Sequence, residues 1–398
     1  MTTAAAAVLG PARDRIASAA PPPSWVERLG VSEFRGYARL DLHTGPGPVV
    51  LTGANGAGKT NLLEALSLLA PGRGLRGARL GELARRGGDG RWAVSARLCT
   101  PGGAVAVGTG LDPQGAGERR VVRIDGQGAR GQAALAETCS VLWLTPAMDR
   151  LFSDAPAARR RFLDRLVAGL EPGHGRELAA FERALRERAR LLAERADGRW
   201  IDAVEETLAG HAVAVAAARR EAVARIAGAL AETRAPWPEA RLALAGEVEG
   251  WLDEMPAVDA EQRLRARLGA GRRADAEAGR AGCGPHRSDL AVTHLESGLP
   301  AAQCSTGEQK ALLISIVLAN ARLHAARRGT TPLVLLDEVA AHIDRVRRAA
   351  LFEALAALGA QAWLSGTDAQ LFEGLRGRAQ FFVLADGRAR AAAGAARW

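Results

Sequence analysis

Residues 53 to 60 read Gly53-Ala54-Asn55-Gly56-Ala57-Gly58-Lys59-Thr60, the pattern G-x-x-x-x-G-K-T. No other stretch narrows the fold of the chain as much. The pattern describes a loop that wraps phosphate. Glycines let the backbone come close, so successive N–H groups turn inward on phosphate oxygens. Lys59 is placed to reach the β- and γ-phosphates, and the Thr60 hydroxyl to ligate Mg²⁺. A helix starting at this point adds its positive end to the site. The flanks agree with this reading. Pro48-Val49-Val50-Leu51-Thr52 is a short apolar run that predicts a buried strand. Leu62, Leu63, Ala65, Leu66 and Leu69 recur at helical spacing. The chain has 46 glycines, so a chance match has to be weighed, and the strand and helix on either side argue against it.

Two further stretches point to the same chemistry. Cys304-Ser305-Thr306-Gly307-Glu308-Gln309-Lys310 precedes an apolar helical run, Ala311 to Leu318. A Ser-x-Gly turn at a helix start offers a hydroxyl, free N–H groups and a dipole to a phosphate. Taken alone, Ser305 to Glu308 is equally a capping box. About 20 residues later comes Pro332-Leu333-Val334-Leu335-Leu336-Asp337-Glu338, an apolar strand with two carboxylates at its tip. Asp337 is placed to hold Mg²⁺ through water, and Glu338 to polarise the attacking water as general base. Ala341-His342-Ile343-Asp344 follows directly.

The remainder of the chain frames these motifs. Its 398 residues suffice for two or three domains, and 48% apolar with 24% charged residues predicts a globular protein. No 18-residue apolar run exists, so no membrane-spanning helix is expected. Residues 1–24 are rich in Ala and Pro and read as a disordered tail, a weak targeting signal being the alternative. The four cysteines have neither metal-ligand nor C-x-x-C spacing and read as reduced thiols of a cytoplasmic protein. A net charge of +9 suits a polyanionic partner such as nucleic acid or an anionic surface. Composition favours Arg throughout: the only two lysines are Lys59 and Lys310.

Residues 25 to 51 predict a strand, a turn and a strand, with Gly45-Pro46-Gly47-Pro48 as a turn. Arg35 can reach phosphate and Tyr37 can stack on adenine, or both can be ordinary edge and core residues. Nothing local decides. Pro71 to Leu80 is a flexible loop. Its Arg73, Arg76 and Arg79 suit either DNA phosphates or plain solvation. Residues 91 to 125 predict strands, as does Val141-Leu142-Trp143-Leu144. From Arg159 to about Ala231 the composition turns to Ala, Arg and Leu, which predicts three or four helices. The Glu/Arg mix at 182 to 195 reads as a solvated face. Another strand is expected at 240 to 248, a helix at 258 to 270, and a glycine-rich joint from Gly279 to Pro285. Ala362 to Asp368 reads as a last strand and polar turn.

The order of phosphate loop, Ser-x-Gly turn, Leu-Leu-Asp-Glu strand and Asp344 loop resembles the ABC-type ATPases. That likeness implies an α/β P-loop head, a mixed sheet with helices, in which two chains sandwich two ATP molecules. Ser305, Thr306, Gly307, Glu308 and Asp344 of one chain would then complete the site of the other. A transporter's nucleotide-binding subunit, the rival reading, would have far fewer than the roughly 245 residues that separate Thr60 from Ser305. It would also carry His at Thr367.

Within this group the chain resembles the RecF family of SMC/Rad50-related DNA repair ATPases. The stretches that carry the likeness span about residues 25 to 375. They are Phe34-Arg35-Gly36-Tyr37, Gly53 to Leu69 with Asn61-Leu62-Leu63-Glu64-Ala65, Pro71 to Arg76, Pro156 to Asp164, Gly284-Pro285-His286-Arg287, Ser305 to Lys310, Leu335 to Asp344 and Gly366-Thr367-Asp368. The resemblance implies an ATPase head, residues 25–155 and 281–398, with an inserted α-helical lobe at 156–280. It implies Asn61 and Arg35 beside the nucleotide, and ATP and Mg²⁺ as cofactors. It further implies an ATP-dependent homodimer on double-stranded DNA near single-strand gaps, released on hydrolysis. RecR, and indirectly RecO, would be partners in loading RecA. Thr306 replaces the Gly of transporter signatures. Thr367 stands where transporters use His, which implies slow hydrolysis. Ala147 follows Pro146 where a polar residue is usual, leaving that position without a ligand.

Overall fold

A computed structural model describes residues 23–112 and 119–392. The expected disordered tail lies, through residue 22, outside the described residues. In chain order the elements are β1 (Trp25–Phe34), β2 (Tyr37–His43), β3 (Val49–Thr52), α1 (Lys59–Ser67), β4 (Ala93–Thr100), β5 (Gly103–Leu111), β6 (Arg120–Ile124), β7 (Gln127–Gly128), α2 (Leu135–Thr138) and β8 (Val141–Leu144). Then come α3 (Pro156–Leu170), α4 (His174–Ala193), α5 (Gly198–Ala231), β9 (Ala240–Ala245), α6 (Glu247–Glu254), α7 (Ala257–Ala278) and β10 (Asp289–His294). The chain closes with α8 (Thr306–Arg328), β11 (Leu333–Leu336), α9 (Arg345–Leu358), β12 (Ala362–Gly366), β13 (Gln380–Ala385) and β14 (Arg388–Ala391).

The short apolar runs β3, β8, β11 and β12 belong to one sheet, ordered β14-β13-β3-β12-β11-β8 and parallel except at β14. Strands of a parallel sheet are buried on both faces, which is why they lack polar alternation. Side chains still alternate between two cores. Val49, Leu51, Leu333 and Leu335 enter one, Val50, Val334 and Leu336 the other. The first core is closed by α1 and by an antiparallel sheet, β2-β1-β4-β5-β6-β7. Leu62, Leu63 and Leu66 of α1 are wholly buried there. The second core is closed by α3, α8, α9 and the latter half of α5. The head is therefore a layered α/β fold, a mixed sheet and an antiparallel sheet with helices packed against them.

Two strand expectations need correction. Residues 25 to 51 form three strands, because Arg35 and Gly36 make a hairpin turn in which Arg35 takes φ 53°. The strand at Ala362 is not the last. β13 follows it and pairs in parallel with β3, and its Phe382 and Leu384 fill the core between the sheets. Helices were expected between 159 and 231, and α3, α4 and α5 occupy that stretch. Phe181, Leu208, Val213, Val248, Trp251 and Leu264 form a third core, private to the lobe. The 34-residue α5, about 50 Å long, crosses from this core to the head, where Val223, Ile226 and Leu230 are buried. β9 pairs antiparallel with β10, stitching the lobe to the chain's return. The 182–195 face is not uniformly solvated. Arg188 is 1% exposed and donates to Glu205, Asp275 and the Leu268 carbonyl, so this buried charge is neutralised inside the lobe.

Candidate nucleotide site

The site gathers at the C-terminal edge of the parallel strands, where open α/β sheets bind their ligands. β3 ends at Thr52, residues 53–58 form the loop, and α1 begins at Lys59. Gly53 takes φ 145° and Gly58 φ 100°. A Cβ at Gly58 would collide with the Tyr37 hydroxyl, so glycine is required there by both backbone and space. Tyr37 is 1% exposed, and burial pushes its phenol well above the usual range. The ring is packing beneath the loop and is not available to stack on adenine. Lys59 is 4% exposed, and its ammonium donates to the carbonyls of Gly53 (2.8 Å) and Ala54 (3.0 Å), inside the cup of its own loop.

The register of β3, β12 and β11 brings Thr60 and Asp337, the pair expected to hold a metal ion, together. Gly366 stands beside Thr52, and Leu364 beside Leu336. The Thr60 hydroxyl lies 3.0 Å from both Asp337 carboxylate oxygens, although 277 residues separate them. Asp337 is 4% exposed and also accepts from Ser365 Oγ at 2.6 Å. Ser365 Oγ in turn accepts from the Glu338 backbone N–H at 2.9 Å. One buried hydroxyl thus ties the Asp337 carboxylate to the backbone of Glu338, the residue expected to act as general base. The sequence reading passed over Ser365. Its signal was a hydroxyl closing a strand that is otherwise apolar. Glu338 takes φ 53°, a left-handed conformation that is costly for a side chain of its kind. Among the described residues its carboxylate has no hydrogen-bond or ion-pair partner. A hydroxyl and a carboxylate converging on one point, with little water access, suit a hard divalent cation.

The Ser-x-Gly stretch starts α8. Ser305 Oγ accepts from the Glu308 N–H, and Glu308 Oε2 accepts from the Ser305 N–H at 2.8 Å. The Ser305 hydroxyl also donates to Glu308 (2.7 Å), and these bonds hold the Glu308 carboxyl below its usual range. Ser305, Thr306 and Gly307 are exposed, with the helix N-terminus behind them. Asp344 is also exposed. It caps α9 by accepting from the Arg347 N–H at 2.9 Å, which lowers its pKa.

Arg35, expected beside the nucleotide, is engaged within the chain: its guanidinium donates to Glu64 of α1 by two 2.8 Å bonds and to the Glu82 carbonyl. Glu64 is wholly buried and also accepts from Arg76 at 2.8 Å. Arg76 donates to Asn61 as well, at 2.9 Å. The loop of Arg73, Arg76 and Arg79 is thereby anchored to the phosphate-loop helix. Arg73 and Arg79 are exposed and their side chains lack protein partners among the described residues. Ala147 is exposed in the turn after β8, but Asp149 in the same turn pairs with Lys310. Thr367 is exposed. No helix among the described residues is long and apolar enough to cross a membrane.

Residues 25–384 match the RecF/RecN/SMC N terminal domain. The chain is 50% identical over 371 residues to the DNA replication and repair protein RecF of Mesorhizobium japonicum, covering 92% of this chain and 98% of that one. It is 47% identical over 367 residues to RecF of Brucella suis, covering 91% and 95%. Its fold is similar to the solved structure of the recombination mediator protein RecF-ATPrS in the RecFOR pathway, with TM-score 0.83 at 20% identity, over 94% of this chain and 100% of that one. An Smc head domain from Pyrococcus furiosus, bound to the C-terminal domain of ScpA, is similar at TM-score 0.51 and 16% identity, over 93% of this chain and 96% of that one.

Proposed function

The chain belongs to the RecF family, and on that premise we propose that it is an ATP-hydrolysing DNA replication and repair protein that dimerises around ATP on DNA. The observation that carries the reading is the Thr60–Asp337–Ser365–Glu338 cluster set against the Lys59 loop. Gly53 to Thr60 bind the phosphates of ATP. Thr60 and Asp337 are the residues that would hold Mg²⁺. The ion, when bound, neutralises charge on the phosphate oxygens. Glu338 accepts the proton of the attacking water, and its strained backbone fixes where the carboxylate stands. Ser305, Thr306, Gly307, Glu308 and Asp344 act on the nucleotide of a second copy, so that two ATP molecules lie between two chains. Hydrolysis parts the chains.

The substrate surface is double-stranded DNA next to single-strand gaps. Arg73 and Arg79 are the phosphate contacts favoured in the 71–80 loop, and Arg76 serves the loop's anchorage. Turnover is slow and stimulated by DNA. The cellular role is recombinational gap repair and replication restart in the cytoplasm, helping RecR and RecO to load RecA. The test is binding to a gapped duplex with ATP, with ADP and without nucleotide, while the dimer mass is followed. Tight binding and dimers with ATP alone support the clamp. Nucleotide-independent binding by monomers rejects it.

A further inference from the structure

Lys59 has an evident task, and the second lysine of this arginine-biased chain does not. Lys310 sits six positions after Cys304 on the first turns of α8, 3% exposed, and its ammonium donates to Asp149 Oδ2 at 3.1 Å. A buried ammonium is costly unless paired, so the pair is a fixed joint rather than a surface contact. Gln309 beside it makes a second joint. Its Nε2 donates to the Cys304 carbonyl at 2.9 Å, and its Oε1 accepts from Ser153 Oγ at 3.4 Å. The exposed Ser305–Gly307 turn is thus bolted from behind to residues 149–153.

That segment is the direct continuation of β8. Leu144 is the register partner of Leu336, and its carbonyl accepts from the Asp337 N–H at 2.9 Å. On the lobe side, Arg165 of α3 lies 4.3 Å over the Trp143 ring and reaches Met148 Sδ at 3.6 Å. A short path therefore runs from the Asp337 backbone through Leu144 and the 145–150 turn to Asp149, Lys310 and the start of α8. Lys310 suits this place because it puts a compact charge on a single carboxylate oxygen. A planar arginine fork would demand two acceptors and more room.

We propose that Lys310 and Asp149 are positioning residues, which hold the Ser305–Gly307 turn in the pose that reaches the partner chain's nucleotide and link that pose to the chain's own Asp337 strand. This rests on the two-chain reading above, and its test separates the two. Lys310→Met keeps the length of the side chain and leaves Asp149, which is 21% exposed, able to regain water, so the fold survives. In the full-length protein, binding of a fluorescent ATP analogue by monomers should stay within about twofold, while ATP-driven dimer formation and turnover fall about tenfold. Amide exchange across residues 303–310 should quicken in the monomer. The charge swap Lys310→Asp with Asp149→Lys should restore most of both effects. Exchange and dimer formation equal to wild type in Lys310→Met overturn the proposal, as does a charge swap no better than the single change. Faster exchange in the variant, with a wild-type chain that never dimerises on ATP, supports the joint and rejects the two-chain reading instead.

Discussion

Lys59 and Asp337 are each 4% exposed, whereas Ser305, Thr306 and Gly307 stand open to solvent. The two groups are the halves of one proposed site. In the first half, polar groups satisfy each other across separate elements, Thr60 with Asp337 and Ser365 with Asp337 and with Glu338, while Lys59 bonds its own loop. Such an arrangement exists only once the sheet is formed. In the second half the side chains of Ser305, Glu308 and Asp344 are satisfied within three residues of themselves, as a capping box at Ser305 and a cap at Asp344. A cap of this kind contributes about 1 kcal/mol to its own helix, and it leaves the N–H groups of the first turn facing water. The first half is therefore satisfied within one chain, and the second leaves donors at a helix N-terminus open to an anion, as the two-chain proposal requires.

The sharpest way to break this contrast is Lys59→Ala. It removes the buried ammonium, and ATP affinity should fall at least about 100-fold in monomers, by titration with a fluorescent analogue. Glu338→Gln should leave that affinity intact, let ATP-bound dimers accumulate, and slow phosphate release by about 100-fold or more. Normal turnover would remove Glu338 from the role of base. Ser365→Ala takes one hydrogen bond from a buried carboxylate, worth about 1.5–3 kcal/mol. Turnover should drop about tenfold with little change in KM, and an unaltered rate would show that Asp337 needs no such tether.

The helix that displays the open half carries a buried histidine near its other end, and pH tests that end. His324 is 1% exposed, its Nδ1–H donates to the Thr330 carbonyl (3.1 Å), and burial lowers its pKa from 6.5 to about 4. The unfolded chain then binds more protons than the folded one between those values. Stability should decline as pH falls from 6.5 toward 4, by about 3 kcal/mol across the window, as followed by urea unfolding. His324→Gln should flatten that slope. The smallest effect is expected of Ser305→Ala. It should lower stability by about 1 kcal/mol and leave nucleotide binding by monomers unchanged, while weakening the ATP-bound dimer. If it weakened monomer binding instead, the division into halves would be wrong.

How far the molecule could be read beforehand follows the same division. Motifs whose chemistry is local were legible. The 53–60 loop, the strand ending in Asp337-Glu338 and the helix start at Ser305 each show themselves in contiguous residues. The partner of Arg35 was not legible, because a guanidinium near a phosphate loop and a guanidinium near a buried carboxylate look alike until Glu64 is placed. Ser365 was missed because a serine at a strand end acquires meaning only from the strand beside it. Arg188 looked like one charge among many on a helix, and it is buried because α5 and α7 bring Glu205 and Asp275 to it.

By itself the sequence determined the phosphate loop, the two-sided apolar strands and the family likeness, since glycine placement, period and spacing are properties of neighbouring residues. The tertiary structure alone decided which charges are paired. Thr60 met Asp337 across 277 residues, Lys310 met Asp149 across 161, and Arg35 turned to α1. Pairing depends on sheet register and helix packing, and neither is written in any single segment of the chain.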